Sequence, residues 1–207
     1  MKCNNIDFAI EESVRVFLEK RLNCYVYVKN NEGILEELLL KRGFMLIDTM
    51  QVLMSPHINI NNIKYENNKI VVIRIGMDLI PLWIDIFCNS FDALDWKDEV
   101  EKIVNSHYKD LVLLLSYTDD NTSKIPIGCA ALYHRHGIIG LYCLGTIESF
   151  RGKGSAKQII KISMEIARNE GFSFLFLQAF TNEQFIDFYK KMGFQMLYKK
   201  KIYTLSK

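Results

Sequence analysis

Between Glu148 and Ala156 the chain reads Glu-Ser-Phe-Arg-Gly-Lys-Gly-Ser-Ala, and no other stretch constrains the fold as much. It follows a strand-like segment, Ile138 to Ile147, and opens a helix-like one, Ala156 to Asn169. A strand that becomes a helix through two glycines, an arginine and a lysine belongs in an α/β architecture, with a loop able to wrap a diphosphate. Glycine permits the tight turn and lets main-chain N–H groups approach a ligand. The helix that follows adds unpaired N–H donors and a partial positive charge. A short glycine-rich loop is weak as a lone signal, so its neighbours decide its meaning.

Those neighbours alternate in period. Ile70 to Ile75 reads as a strand, and Met77 to Phe91 as a helix with Leu79, Ile80, Trp83, Ile84 and Phe87 on one side. Asp95 to His107 reads as a second helix, with Asp95 placed to cap it and Asp98 and Glu99 in its first turn. Leu111 to Tyr117 and Pro126 to His134 are strands around the turn-like Thr118 to Ser123, and Arg135 to Gly137 makes a hairpin into Ile138 to Ile147. After the helix Ala156 to Asn169, with Gly171 as its C-terminal cap, come the strand Phe172 to Phe180 and the helix Asn182 to Met192. One or two strands close the chain between Phe194 and Leu205.

The length of 207 residues allows one or two domains with a core of ordinary size. A net charge of +2, from 26 basic and 24 acidic residues, gives no hint of a nucleic-acid partner. The five cysteines, Cys3, Cys24, Cys88, Cys129 and Cys143, show no C-x-x-C spacing and sit mostly in apolar runs, as free thiols in a reducing compartment do. Asp7, Glu11 and Glu12 fall where a signal peptide is apolar, and no apolar run approaches the ~20 residues needed to span a bilayer. The expectation is a soluble, cytoplasmic protein with no membrane partner.

Residues 56–69, asparagine-rich with a single Pro56, divide an N-terminal segment, 1–55, from the rest, 70–207. The Ile58, Ile60 alternation also fits a short edge strand there. The N-terminal segment reads helix, strand, helix, strand, and Lys41-Arg-Gly43-Phe44 mirrors Lys191-Met-Gly193-Phe194 at an offset of 150. At that offset Ile10, Val14 and Phe17 fall on Ile160, Met164 and Ala167, while Leu39 stands where Tyr189 stands. Either the segment is a degenerate copy of the C-terminal half, without the glycine loop, or two ordinary αβ units share a common helix stop.

Arg151-x-x-Gly154-x-Ala156 resembles the acyl-CoA-binding signature of the GNAT acetyltransferase superfamily, Arg/Gln-x-x-Gly-x-Gly/Ala. Asn182, seven residues before Tyr189, which precedes Gly193-Phe194, resembles the family's second signature, 31 residues after Arg151. The resemblance covers about residues 70 to 207. It implies a mixed α/β sheet of GNAT type, here with the extra αβαβ half-lobe, in which the strands flanking the phosphate loop splay apart and admit pantetheine. It also implies acetyl-CoA as co-substrate without a metal, and direct transfer to a primary amine of a small molecule or peptide. A catalytically silent acyl-CoA sensor or scaffold is the alternative, and a homodimer is left open.

The resemblance places the backbone of Leu144, Gly145 and Thr146 against pantetheine, with Leu144 or Thr146 as oxyanion donor. The N–H groups from Arg151 through Gly152, Lys153, Gly154 and Ser155 to Ala156 face the diphosphate; the Arg151 and Lys153 side chains either contact it or are solvated. Asn182 caps a helix, reaches the carrier arm, or does both. Tyr189, two helical turns on, is the proton donor to the departing thiolate or a core tyrosine beside Phe185 and Phe188. No general base stands out among His107, His134, His136, Tyr142 and Glu148. His134-Arg-His136 has the spacing of two metal ligands but no third, and fits an exposed hairpin tip better. Cys143 invites a covalent mechanism, though packing explains a strand cysteine more simply. Trp83, Phe87, Phe91 and Trp96 either line an acceptor pocket or pack helices.

Overall fold

A computed structural model describes residues 2–30, 32–56, 69–119, 124–181 and 185–205. Most of the expected linker, Asn182 and the end of the turn before Lys124 lie outside these residues. The elements in chain order are α1 (Lys2–Glu19), β1 (Tyr25–Lys29), α2 (Gly33–Lys41), β2 (Phe44–Pro56) and β3 (Ile70–Arg74). There follow α3 (Ile80–Phe91), α4 (Lys97–His107), β4 (Leu111–Asp119), β5 (Lys124–Arg135) and β6 (Ile138–Thr146). The chain ends with α5 (Ser155–Asn169), β7 (Phe174–Phe180), α6 (Ile186–Lys191) and β8 (Gln195–Leu205).

The chain forms two compact units. One joins Met1–Leu53 with Gln178–Tyr189 and Met196–Lys207; the other comprises Met54–Leu177 and Lys190–Gln195. In the first, β1 pairs antiparallel with β8, from Tyr25 opposite Thr204 to Lys29 opposite Lys200. Ile10, Cys24, Val28, Leu39, Phe44 and Tyr203 make its core. Polar groups join its helices and strands: Arg42 bonds Asp7 at 2.8 Å and Glu11 at 2.9 Å. Lys201 Nζ lies 2.6 Å from Glu36 Oε2, to which the Tyr203 hydroxyl donates at 3.0 Å.

The second unit is built on strands in the order β7-β6-β5-β4-β3, antiparallel throughout except for β6 with β7. Neighbouring β5 residues Gly128 and Cys129 point to opposite faces of the sheet, as strand geometry requires. A Cβ on Gly128 would meet Ser155 of α5, whereas Gly145, paired with Cys129, would meet Ser90 and Phe91 of α3. Thus α3 and α5 cover the two faces. On the α3 face Ile80, Trp83, Ile84 and Cys88 pack with Leu113, Leu115, Cys129 and Ala131. On the other, α5 buries Ile159, Ile160, Ser163, Met164 and Ala167 along one side.

Local chemistry explains the differences from the expected boundaries. Helix α3 begins at Ile80 with Pro81 in its opening turn, after a separate 3₁₀ turn over Met77–Leu79. Asp95 does not cap the next helix: it lies within a second 3₁₀ turn, Leu94–Trp96, and α4 starts at Lys97 with no side-chain cap. Gly171, at φ 84°, does close α5, since its N–H reaches Arg168 O at 3.0 Å and that of Phe172 reaches Ala167 O at 2.9 Å. A single strand, β8, occupies the C-terminal segment.

The offset of 150 relates whole elements: α1, β1, α2 and β2 overlap α5, β7, α6 and β8 in turn. Gly43 and Gly193 both adopt left-handed conformations, φ 83° and 89°, and the phenylalanine after each, Phe44 and Phe194, is buried.

Candidate functional site

The second unit carries a strand edge that leads into an anion-ready turn. Ladder pairs between β6 and β7 are Ile139 with Leu175 and Gly140 with Phe176. Past Gly140, the β6 backbone from Leu141 to Thr146 has no strand partner on that side among the described residues. On its other side β6 is irregular. Register with β5 runs from Arg135 opposite Ile138 to Ala131 opposite Tyr142, then resumes at Cys129 opposite Gly145. Cys143 and Leu144 therefore stand against Ala130 alone, a β-bulge that re-aims the strand. Cys143 takes φ 54°, a left-handed conformation that costs a non-glycine residue about 1 kcal/mol or more.

Three contacts hold this irregular stretch. The Trp83 indole donates to Ala130 O at 3.0 Å, and the Cys129 thiol to Cys143 O at 3.5 Å. Beyond the bulge the Ile147 N–H returns to Ile127 O at 2.9 Å. A 3₁₀ turn, Glu148–Phe150, then delivers the chain to Arg151. Gly152 and Gly154 adopt φ 77° and 98°, a region that only glycine enters cheaply. Gly154 is the N-cap of α5, and Gln158 is the residue whose N–H bonds back to its carbonyl, at 3.1 Å. The Ser155 and Ala156 N–H groups precede that bond and have no intrahelical acceptor, so with the helix dipole they favour negative charge at this end.

Packing fixes this helix start in place. Ser155, 2% exposed, lies with its Oγ 2.7 Å from Ser116 Oγ on β4. Gly128 makes room: a Cβ there would sit 2.6 Å from Ser155 Oγ, 2.7 Å from Gly145 O and 2.8 Å from Ser116 Oγ. Lys153 Nζ lies 4.7 Å above the Phe150 ring. Arg151 Nε donates to Thr146 O and Nη2 to Ser90 O, both at 3.2 Å.

Electrostatics separates the remaining candidates. Burial pushes the Cys143 thiol up to about 11, which disfavours the thiolate a covalent mechanism needs. Burial, then the neighbouring Tyr133, pushes the Tyr142 phenol above its ordinary range, suiting it to donate a hydrogen bond rather than accept a proton. His107 Nδ1 is within 2.8 Å of Ser106 Oγ and 3.0 Å of Ile103 O on its own exposed helix end. His134 lies against Phe172, while His136 sits in the turn at φ 51°, so the two do not alternate along one strand face. Among the described residues no group of three or more His, Cys, Asp or Glu is placed to hold a metal ion. Glu148 is 89% exposed. No helix of the described residues is long and apolar enough to cross a membrane.

Of the expected site residues, Leu144 to Thr146 and Arg151 to Ala156 share one run of the second unit. Tyr189 belongs to the first unit, half-buried on α6 with its ring 5.3 Å from that of Phe188. Asn182 is outside the described residues. Trp83 is buried and bonded to the sheet, which makes it a packing residue, while Trp96 is 68% exposed. Sequence reading missed Ser90, Ser116, Gly128 and Ala130. Gly128, a glycine inside a strand pattern, was the available sign of a close approach.

The sequence model of the Acetyltransferase (GNAT) family matches residues 80–194. A curated relative, the uncharacterized N-acetyltransferase CgeE of Bacillus subtilis (strain 168), is 26% identical over 88 residues, 42% of this chain. The match spans 34% of that relative. The fold is similar to that of a GCN5-related N-acetyltransferase from Kribbella flavida, with TM-score 0.76, 12% identity, and coverage of 99% of this chain and 77% of that one. A GCN5-related N-acetyltransferase from Sphaerobacter thermophilus gives TM-score 0.72 at 13% identity, over 88% of this chain and 59% of that one. With the family model spanning α3 to Phe194, and with it the bulged strand and the turn into α5, the chain belongs to the GNAT acetyltransferase family.

Proposed function

We propose that the protein transfers an acyl group, most simply acetyl, from a coenzyme A thioester to a primary amine by direct attack. The observation that carries this reading is the β6 edge through Leu144–Thr146, without a strand partner on that side among the described residues, running into the Gly152–Gly154 turn and the start of α5. An extended pantetheine arm pairs with such an edge as an added strand does, and the turn's N–H groups receive the diphosphate. The bulge leaves Cys143 and Leu144 out of the regular register with β5; Leu144 or Thr146 is assigned as the donor for the thioester oxygen as negative charge develops.

An aliphatic amine with a pKa of about 10 must lose a proton before it attacks. The raised Cys143 and Tyr142 groups suit neither a nucleophile nor a base, which favours direct transfer with the proton leaving through solvent or the substrate's own path. Tyr189 is assigned as proton donor to the departing thiolate, on the strength of its position in the second family signature. Asn182 is assigned to the carrier arm on the same ground.

The test combines binding and turnover. Acetyl-CoA at ~100 times its dissociation constant should raise unfolding stability by roughly 2.7 kcal/mol. A panel of amines, followed by release of free thiol, should contain at least one that accelerates release. Stabilisation without release from any amine points to a carrier-binding protein with no transferase activity; absence of stabilisation removes the reading altogether.

A further inference from the structure

We propose that the Arg151 side chain is a splint that ties the exit of β6 to the end of α3, and so sets the strand edge that receives the acyl carrier, rather than a counter-charge for the diphosphate. The inference rests on the transferase reading for its consequence, and on geometry for its substance. Arg151 Nε and Nη2 form the lateral edge of the guanidinium, the edge that otherwise grips a phosphate with two parallel bonds. Here that edge is occupied by two main-chain carbonyls, Thr146 O and Ser90 O, each at 3.2 Å. Nη1 lies 4.0 Å from Glu148 Oε1, at the limit of an ion pair.

The two carbonyls come from elements 61 and 5 residues away, and each has a reason to need a donor. Ser90 is in the last turn of α3, where carbonyls have no intrahelical partner. Thr146 is the last residue of β6, on the side from which β7 has already parted. Between them Gly145 permits direct contact, since a Cβ there would fall 2.7 Å from both Ser90 Cβ and Phe91 Cε2. The same helix is pinned two turns earlier by the Trp83 indole on Ala130, the residue opposite the bulge. Helix α3 therefore crosses the bulge with one attachment before it and one after it. Without the second, the segment Leu144–Thr146 loses its fixed aim while the fold retains the first.

The experiment compares two acyl donors, acetyl-CoA and S-acetylpantetheine, which keeps the thioester arm and lacks every phosphate. For Arg151→Ala, kcat/KM should fall by the same factor with both donors, about tenfold for loss of charge-assisted bonds. The salt dependence with acetyl-CoA should keep its wild-type slope. A loss confined to acetyl-CoA, with a flattened salt dependence, would mean that Arg151 is a phosphate ligand and overturn the splint. Amide hydrogen exchange on the carrier-free protein gives an independent reading. Residues 88–93 and 144–147 should exchange faster in Arg151→Ala, with exchange in residues 25–29 unchanged. Unaltered exchange in the first two segments overturns the proposal even if activity falls. Should the wild type bind neither donor, the transferase reading fails, and the exchange comparison alone decides the splint.

Discussion

Proton transfer and nucleophilicity are properties of single side chains, so Tyr189 and Cys143 can each be tested alone. Tyr189→Phe removes one hydroxyl and little volume. It should lower kcat about 10²-fold, the lower range for a lost general acid, while the acetyl-CoA dissociation constant changes by less than about twofold. Steady-state rates beside equilibrium titration of the same variant check this, and wild-type turnover would remove the assignment. Cys143 makes the opposite prediction. A thiol held at about 11 is ionised to roughly one part in 10⁴ at neutral pH. Incubation with acetyl-CoA in the absence of an amine should therefore leave no acetyl group on Cys143 by peptide mass spectrometry. A stoichiometric adduct would establish a covalent route instead. The turn at 151–154 was legible from residue type, because two glycines at a strand-to-helix junction suit the left-handed conformations that Gly152 and Gly154 adopt. The partners of Arg151 were not, since Ser90 comes near only through tertiary packing.

At the scale of elements, the contact between α5 and the sheet depends on one missing side chain. Gly128→Ala places a Cβ within 3 Å of three atoms. Two are serine hydroxyls that can rotate, but Gly145 O is main chain on β6 and must shift. The expected cost is about 1–3 kcal/mol of unfolding free energy by urea titration, with weaker acetyl-CoA binding in the folded fraction. Unchanged binding would separate the sheet-to-helix contact from the site. Periodicity read the helices and strands well where an apolar face is sustained, as on α5 and β5. It failed where local hydrogen bonding outweighs it: the 3₁₀ turns at Met77–Leu79 and Leu94–Trp96 read as first turns of helices. The bulge was invisible, because Cys143 enters a left-handed conformation with no glycine to mark it. Its support, the Trp83 indole on Ala130, links residues 47 positions apart.

At the scale of the whole chain, each unit has an apolar core, and pH should expose what the ion pairs of the first unit add to it. The second unit's core is a continuous apolar cluster around Trp83, Leu113, Leu115 and Ala131, whose burial does not titrate. The first unit has an apolar core of its own and also joins its elements with charges: Arg42 to Asp7 and Glu11, Lys201 and Tyr203 to Glu36. The hydrogen bond from Arg42 holds the Asp7 carboxyl below its ordinary range, and that from Lys201 does the same for Glu36. A carboxylate depressed in the folded state stabilises fully above its unfolded pKa, and that contribution is lost as pH falls through the folded value. For Lys201, raised by Glu36, the sign is reversed: its contribution is present below the ordinary lysine range and lost as pH rises through the raised value. Two-dimensional NMR of the backbone amides, followed from about pH 6 to about pH 3 across the carboxylate range, should show residues 7–11, 36–42 and 199–204 losing native shifts before residues 111–116 and 127–132. Glu36→Gln keeps the shape without the titration, so residues 199–204 should become less sensitive to acid, while residues 7–11 and Arg42 follow Asp7 as before. Simultaneous loss of both units at one pH would show a single cooperative fold, in which these ion pairs set no local order of unfolding.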